Sequence, residues 1–112
     1  MKKAAAVLIC LASLCLASCK EAVNTFKVRD VKSAVHSAEV QLCGKRIVLT
    51  KTDEAFAGNI SINCEASGVI LVRLANGREI TCPIGYVTTG ANQAFEFEVE
   101  DGTCRPVSAQ NN

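Results

Sequence analysis

Histidine occurs once in the 112 residues, at position 36, and no two of the seven cysteines are spaced as Cys-x-x-Cys. Zinc sites draw their ligands from such close pairs, and thiol redox centres need a close pair with one acidified thiol. Neither a metal site nor a redox centre is expected, and nothing calls for another cofactor. No glycine-rich stretch has the form of a phosphate-cradling loop. No apolar run reaches the roughly 20 residues that cross a bilayer as a helix. The longest extends from Ala4 to Ala17, broken only by Ser13, which excludes a polytopic membrane protein. A formal charge of +1 leaves no basic footprint for nucleic acid. What remains is a chain sized for one domain, whose core is small enough that covalent staples are expected to supplement it.

Met1-Lys2-Lys3 followed by the apolar run has the order of a secretory signal. The run ends in Leu16-Ala17-Ser18-Cys19. This tetrapeptide resembles the lipobox of bacterial lipoproteins, in which an aliphatic and two small residues precede a cysteine. The resemblance covers residues 1–19 only and implies that Cys19 takes diacylglycerol on its thiol and becomes the mature N-terminus. Cys10 and Cys15 follow bulky residues and do not fit the pattern. Two or three acyl chains, at about 0.8 kcal/mol per buried methylene, would anchor the protein durably without a spanning segment. In this family an aspartate after the cysteine commonly retains the protein in the inner membrane. Lys20 therefore implies the periplasmic leaflet of the outer membrane of a two-membrane bacterium.

Residues 1–18 are accordingly read as signal peptide and residues 19–38 as lipidated N-terminus and tether. In the tether, Lys20, Lys27, Arg29 and Lys32 outweigh Glu21 and Asp30, and Val28, Val31 and Val35 keep helical spacing. Phe26 and Val28 equally fit one added strand. From Glu39 the signals are those of strands. Val40-Gln41-Leu42 and Ile47-Val48-Leu49 flank a candidate turn at Cys43-Gly44-Lys45-Arg46, and Asn76-Gly77 suits a two-residue type I′ turn. Pro83 is expected to end the strand that returns from that turn, and Tyr86-Val87-Thr88-Thr89 to form another. Phe95, Phe97 and Val99 alternate with Glu96, Glu98 and Glu100, the pattern of a half-buried strand. Residues 39–107 thus predict an all-β domain, a small antiparallel sandwich or barrel of about six to eight short strands, with 108–112 a frayed tail.

Four cysteines, Cys43, Cys64, Cys82 and Cys104, fall in this body, and an even count in an exported chain points to disulfides. Three connectivities are possible. Shifting the chain by 39 residues lays Cys43 on Cys82, Val48 on Val87, Thr50 on Thr89 and Phe56 on Phe95, with Cys64 one place from Cys104. The shift favours Cys43–Cys64 and Cys82–Cys104, each closing one of two similar units.

Catalytic signals are absent. His36 stands without a nearby cysteine or a plausible serine partner and reads as a solvated side chain. Asp53 and Glu54 are adjacent, so on a strand they would point to opposite faces, and on a loop they serve solvation. Charge is more informative. Residues 20–51 hold seven basic and three acidic side chains, residues 52–112 three and eight. Glu96, Glu98, Glu100 and Asp101 form either the wet side of an amphipathic strand or a docking face for a basic partner. The expectation is a membrane-anchored periplasmic lipoprotein, not an enzyme, acting as a protein-binding module without nucleic acid or small-molecule substrate. Capture of a basic protein, as small lipoproteins that inhibit lysozymes do, is one form of this. The alternative is a structural accessory of a secretion or envelope assembly.

Overall fold

The computed structural model describes residues 22–107. Within them run nine strands: β1 (Val23–Asp30), β2 (Val35–Leu42), β3 (Lys45–Val48), β4 (Thr50–Lys51), β5 (Ala55–Ser61), β6 (Ala66–Leu74), β7 (Glu79–Val87), β8 (Ala94–Glu100) and β9 (Thr103–Pro106). They form a five-stranded sheet in the order β4-β5-β1-β8-β9 and a four-stranded sheet in the order β3-β2-β6-β7. Both sheets send side chains into one core, including Phe26, Val28, Phe97 and Val99 from the first and Val40, Ile70, Val72 and Cys82 from the second. The protein is an all-β sandwich. The count exceeds the expected six to eight because Leu49, buried at the switch between sheets, divides what reads as one strand into β3 and the two-residue β4.

The tether reading of residues 19–38 is corrected over its described part. β1 lies at the centre of the larger sheet, between β5 and β8, and β2 is central in the smaller one. Along β1 burial alternates strictly: Asn24, Phe26, Val28 and Asp30 point inward, and Lys27 and Arg29 point out. Two of the cations that suggested a solvated spacer, Lys27 and Arg29, occupy one face of a half-buried strand. The domain therefore begins with β1 rather than at residue 39. The sheet is also not wholly antiparallel, because β1 runs parallel to β8 with Phe26 opposite Phe95 and Val28 opposite Phe97. Parallel neighbours require a long crossover, here nearly the whole domain.

Asp30, a carboxylate only 7% exposed, makes the passage from β1 to β2 possible. Its Oδ1 accepts the Ala34 N–H at 2.8 Å and its Oδ2 the Val35 N–H at 3.1 Å, while Ser33 takes a left-handed φ of 54°. Two backbone donors at a sheet-to-sheet corner are thus satisfied by one side chain. Asp30→Ala should cost about 1–3 kcal/mol, read as a lower urea midpoint at unchanged slope, and Asp30→Asn, which keeps one acceptor oxygen, less.

The hairpin expected over Cys43-Gly44-Lys45-Arg46 forms with a tighter turn: Lys45 and Arg46 belong to β3, and Cys43-Gly44 alone turn the chain, with φ of 55° and 73°, the type I′ combination. Asp101-Gly102 repeats it at 55° and 72° between β8 and β9. Asn76-Gly77 does not. There only Gly77 has positive φ, the Gly77 N–H donates to Leu74 O at 2.9 Å, and Leu74 N–H donates to Arg78 O at 2.8 Å. That is a three-residue loop closed by a bulge rather than a type I′ turn. Nor does Pro83 end its strand. β7 runs on to Val87, because it is an edge strand and its pairing skips Ile84 between Val69–Pro83 and Gly68–Gly85. Thr88 and Thr89 then belong to the following loop.

The disulfides are Cys43–Cys64 and Cys82–Cys104. Neither seals a self-contained unit. Cys43 lies in the β2–β3 turn and Cys64 just beyond β5, whereas Cys82 and Cys104 sit on the edge strands β7 and β9. Each bridge therefore ties one sheet to the other.

Candidate functional site

The acidic residues singled out by the sequence are brought together on the outer face of the larger sheet and its end. Phe97 and Val99 are buried while Glu96, Glu98 and Glu100 turn outward, as the alternation requires. The parallel register sets Lys27 beside Glu96 and Arg29 beside Glu98, and the β8–β9 hairpin sets Arg105 opposite Glu98. Arg29 Nη1 lies 3.6 Å from Glu98 Oε2 and 3.9 Å from Glu96 Oε2. Arg105 Nη2 reaches Glu98 Oε1 at 3.3 Å and Glu100 Oε1 at 3.5 Å. Lys32 Nζ donates to Asp101 Oδ1 at 3.0 Å, and this bond, with the Asp101 and Glu100 charges, holds the ammonium above the usual lysine range.

The four carboxylates therefore do not stand as an open acidic patch. The sequence pattern puts Arg29 and Lys32 on a separate tether and Arg105 in the body, and does not reveal that all three interleave with these carboxylates. The opposite signs of the two halves of the chain were the available signal. Exposed pairs of this kind contribute about 0–1 kcal/mol each, so the ladder defines register and surface charge more than stability.

Beside the ladder, where β1 ends, lies a groove of about 330 Å³ whose walls include Arg29, Asp30, Lys51, Glu54 and Glu98. A second, of about 340 Å³, adjoins it along Lys27, Arg29 and Thr52 to Ala55. Asp53 and Glu54 thus lie on the rim, on an exposed bend rather than as a facing acid and base. The lining mixes both charge signs and holds no histidine or free thiol. Among the described residues no three His, Cys, Asp or Glu side chains come together as metal ligands. His36 is exposed, at the register irregularity of β2. Cys19, the lipidation candidate, lies outside the described residues, as do the signal peptide and residues 108–112.

At the other end of β1, Asn24 is fully buried, and its Oδ1 accepts the Gln93 N–H at 3.2 Å. The Gln93 side chain in turn accepts from Thr88 N–H at 3.2 Å. Together they hold the β7–β8 loop against the start of β1.

A two-sheet, disulfide-stapled β-sandwich with an ion-paired outer ladder is thus the class the geometry defines. No family model matches the chain, and no curated protein matches it. Among solved structures it is similar to the tip fimbrial protein Mfa3 from Porphyromonas gingivalis with C-terminal truncation, with a TM-score of 0.55 at 9% sequence identity. The match covers 76% of this chain and 49% of that one, so the chain spans about half the length of its structural neighbour. At that identity the likeness is one of fold.

Proposed function

We propose that the chain is an exported lipoprotein whose β-sandwich is a non-catalytic protein-binding module of the bacterial envelope. The observation that carries this reading is the lipobox-like Leu16-Ala17-Ser18-Cys19 set four residues ahead of a sandwich closed by two disulfides. A lipid anchor with a covalently stapled, all-β body suits the presentation of a fixed surface in an oxidising compartment. The fold shared with a fimbrial tip protein supports an envelope or surface setting. Lys20 after the cysteine favours the periplasmic leaflet of the outer membrane.

Within this reading, the paired ladder favours a standing partner in an envelope or secretion assembly over capture of a free basic protein. A basic partner would have to displace Arg29, Lys32 and Arg105 from carboxylates they already neutralise.

Mass spectrometry and crosslinking in intact cells test both levels. The mature N-terminus is expected to be a diacylated Cys19, with Cys19→Ser abolishing the modification and releasing the protein from membranes. An unmodified N-terminus beyond Cys19 overturns the lipoprotein reading. A folded Glu96→Lys, Glu98→Lys variant is expected to keep its crosslinked partner. Loss of the partner from that variant, with binding that weakens as salt rises, would instead support capture of a basic protein.

A further inference from the structure

We infer that the end of the sandwich at which β1 begins is a membrane seat, resting on the headgroups of the anionic phospholipid leaflet that holds the anchor. The inference rests on the proposed lipidation of Cys19. Only Lys20, Glu21 and Ala22 separate that cysteine from Val23, the first residue of β1. Four residues at full extension span about 14 Å. The strand start therefore stays within that distance of the lipid, whereas the other end of β1 lies about 23 Å farther along the strand.

The register identifies what shares the anchored end. Val23 pairs with Ser61 and donates its N–H to Asn92 Oδ1 at 2.8 Å. Cys64, just past Ser61, is bonded to Cys43 in the β2–β3 turn, and Ala66 pairs with Val87. Three connections converge there: the β2–β3 turn, the β5–β6 loop and the β7–β8 loop.

Their chemistry fits an anionic surface. The loop from Thr88 to Gln93 carries no charge, and Lys45 is a cation beside the Cys43-Gly44 turn. Among the described residues of these three connections the one carboxylate, Glu65, accepts a hydrogen bond from the Tyr86 hydroxyl at 3.0 Å, and Glu21 in the linker is offset by the adjacent Lys20. Val23 and Tyr86, 41% and 58% exposed, add apolar surface, and tyrosine suits a zone that is apolar on one side and wet on the other. The clustered acids are at the opposite end, where Lys32 pairs with Asp101 and Lys51 lines the groove with Asp53 and Glu54. Asp53 and Glu54 lie beside the end of β1, where the Asp30 N–H meets Glu54 O at 3.0 Å, and Asp101 lies at the β8–β9 turn. A separation of two to three Debye lengths, each about 8–10 Å, keeps them clear of the negative leaflet. The Arg29–Lys51–Glu54 groove consequently faces away from the bilayer.

The test uses the full lipidated chain in vesicles of phosphatidylethanolamine and phosphatidylglycerol, with a benzophenone side chain at Thr89 or at Ala75, both exposed. Irradiation is expected to give lipid adducts from position 89 and to lose them from position 75, in the β6–β7 turn. Equal adducts from the two positions, or more from 75, in a sample whose Cys19 is diacylated, overturn the seat. A sample whose Cys19 carries no lipid overturns the lipoprotein reading beneath it.

Discussion

Reduction of both disulfides should unfold the sandwich under conditions in which the oxidised protein is fully folded. Each bridge closes a loop of just over twenty residues, with sequence separations of 21 and 22. In the chain-entropy account a loop of that size restricts the unfolded ensemble by about 3 kcal/mol, so the two together contribute about 6–7 kcal/mol. Small domains have net stabilities of about 5–15 kcal/mol, and one of this size sits toward the lower end. The bridges also join sheet to sheet, so losing them removes constraint across the core rather than within a hairpin. Cys82 adds a packing role, being fully buried. Replacing Cys82 and Cys104 by alanine should therefore cost more than replacing Cys43 and Cys64. Urea unfolding with and without reductant measures the effect. An unchanged midpoint after reduction would sink the claim.

Phe26→Ala should cost about 3–5 kcal/mol, the range for removing a buried aromatic ring. Phe26 is 1% exposed and its ring stacks on Phe95 at 5.2 Å between centroids. That contact links the first strand to the eighth across the parallel pairing, so truncation opens a cavity where the two distant parts of the chain meet. Phe26→Leu refills part of the volume and should lose less. The same measurement decides between two accounts of residues 23–38. If they formed a solvated tether, Phe26→Ala would leave the urea midpoint where it was. With β1 at the centre of the sheet, the midpoint should fall by more than for any of the outer-ladder substitutions.

The β character, the wet and dry faces of β8 and the hairpin at Cys43-Gly44 are legible in local sequence, whereas the disulfide pairing agrees with the 39-residue shift although the bridges join the two sheets and do not close two similar units. Each of the first three depends on residues at fixed short offsets. Harder to read is β1. Its inward set is Asn24, Phe26, Val28 and Asp30, half of it polar, because Asn24 and Asp30 are consumed by backbone donors from the β7–β8 loop and the β1–β2 corner. Local pattern recognises apolar alternation and cannot see a polar residue whose partners lie 69 positions away or around a corner. The candidate site fails for the same reason. Glu96, Glu98 and Glu100 are visible as a stripe, but their neutralisation depends on Arg29 and Lys32, whose proximity follows from a parallel pairing that spans most of the domain. Pro83 and Asn76-Gly77 were misleading in a milder way. An edge position absorbs the first, and a bulge replaces the tighter turn at the second.

The central position of β1 has a mechanical consequence. It is hydrogen-bonded along one side to β5, from Val23 to Arg29, and along the other to β8, from Thr25 to Asp30. A pulling force entering through the N-terminus runs along this strand's axis. It must shear two ladders together, whereas a strand loaded across its end peels away one hydrogen bond at a time. Force applied at the N-terminus is thus met by both ladders at once rather than by a single hydrogen bond.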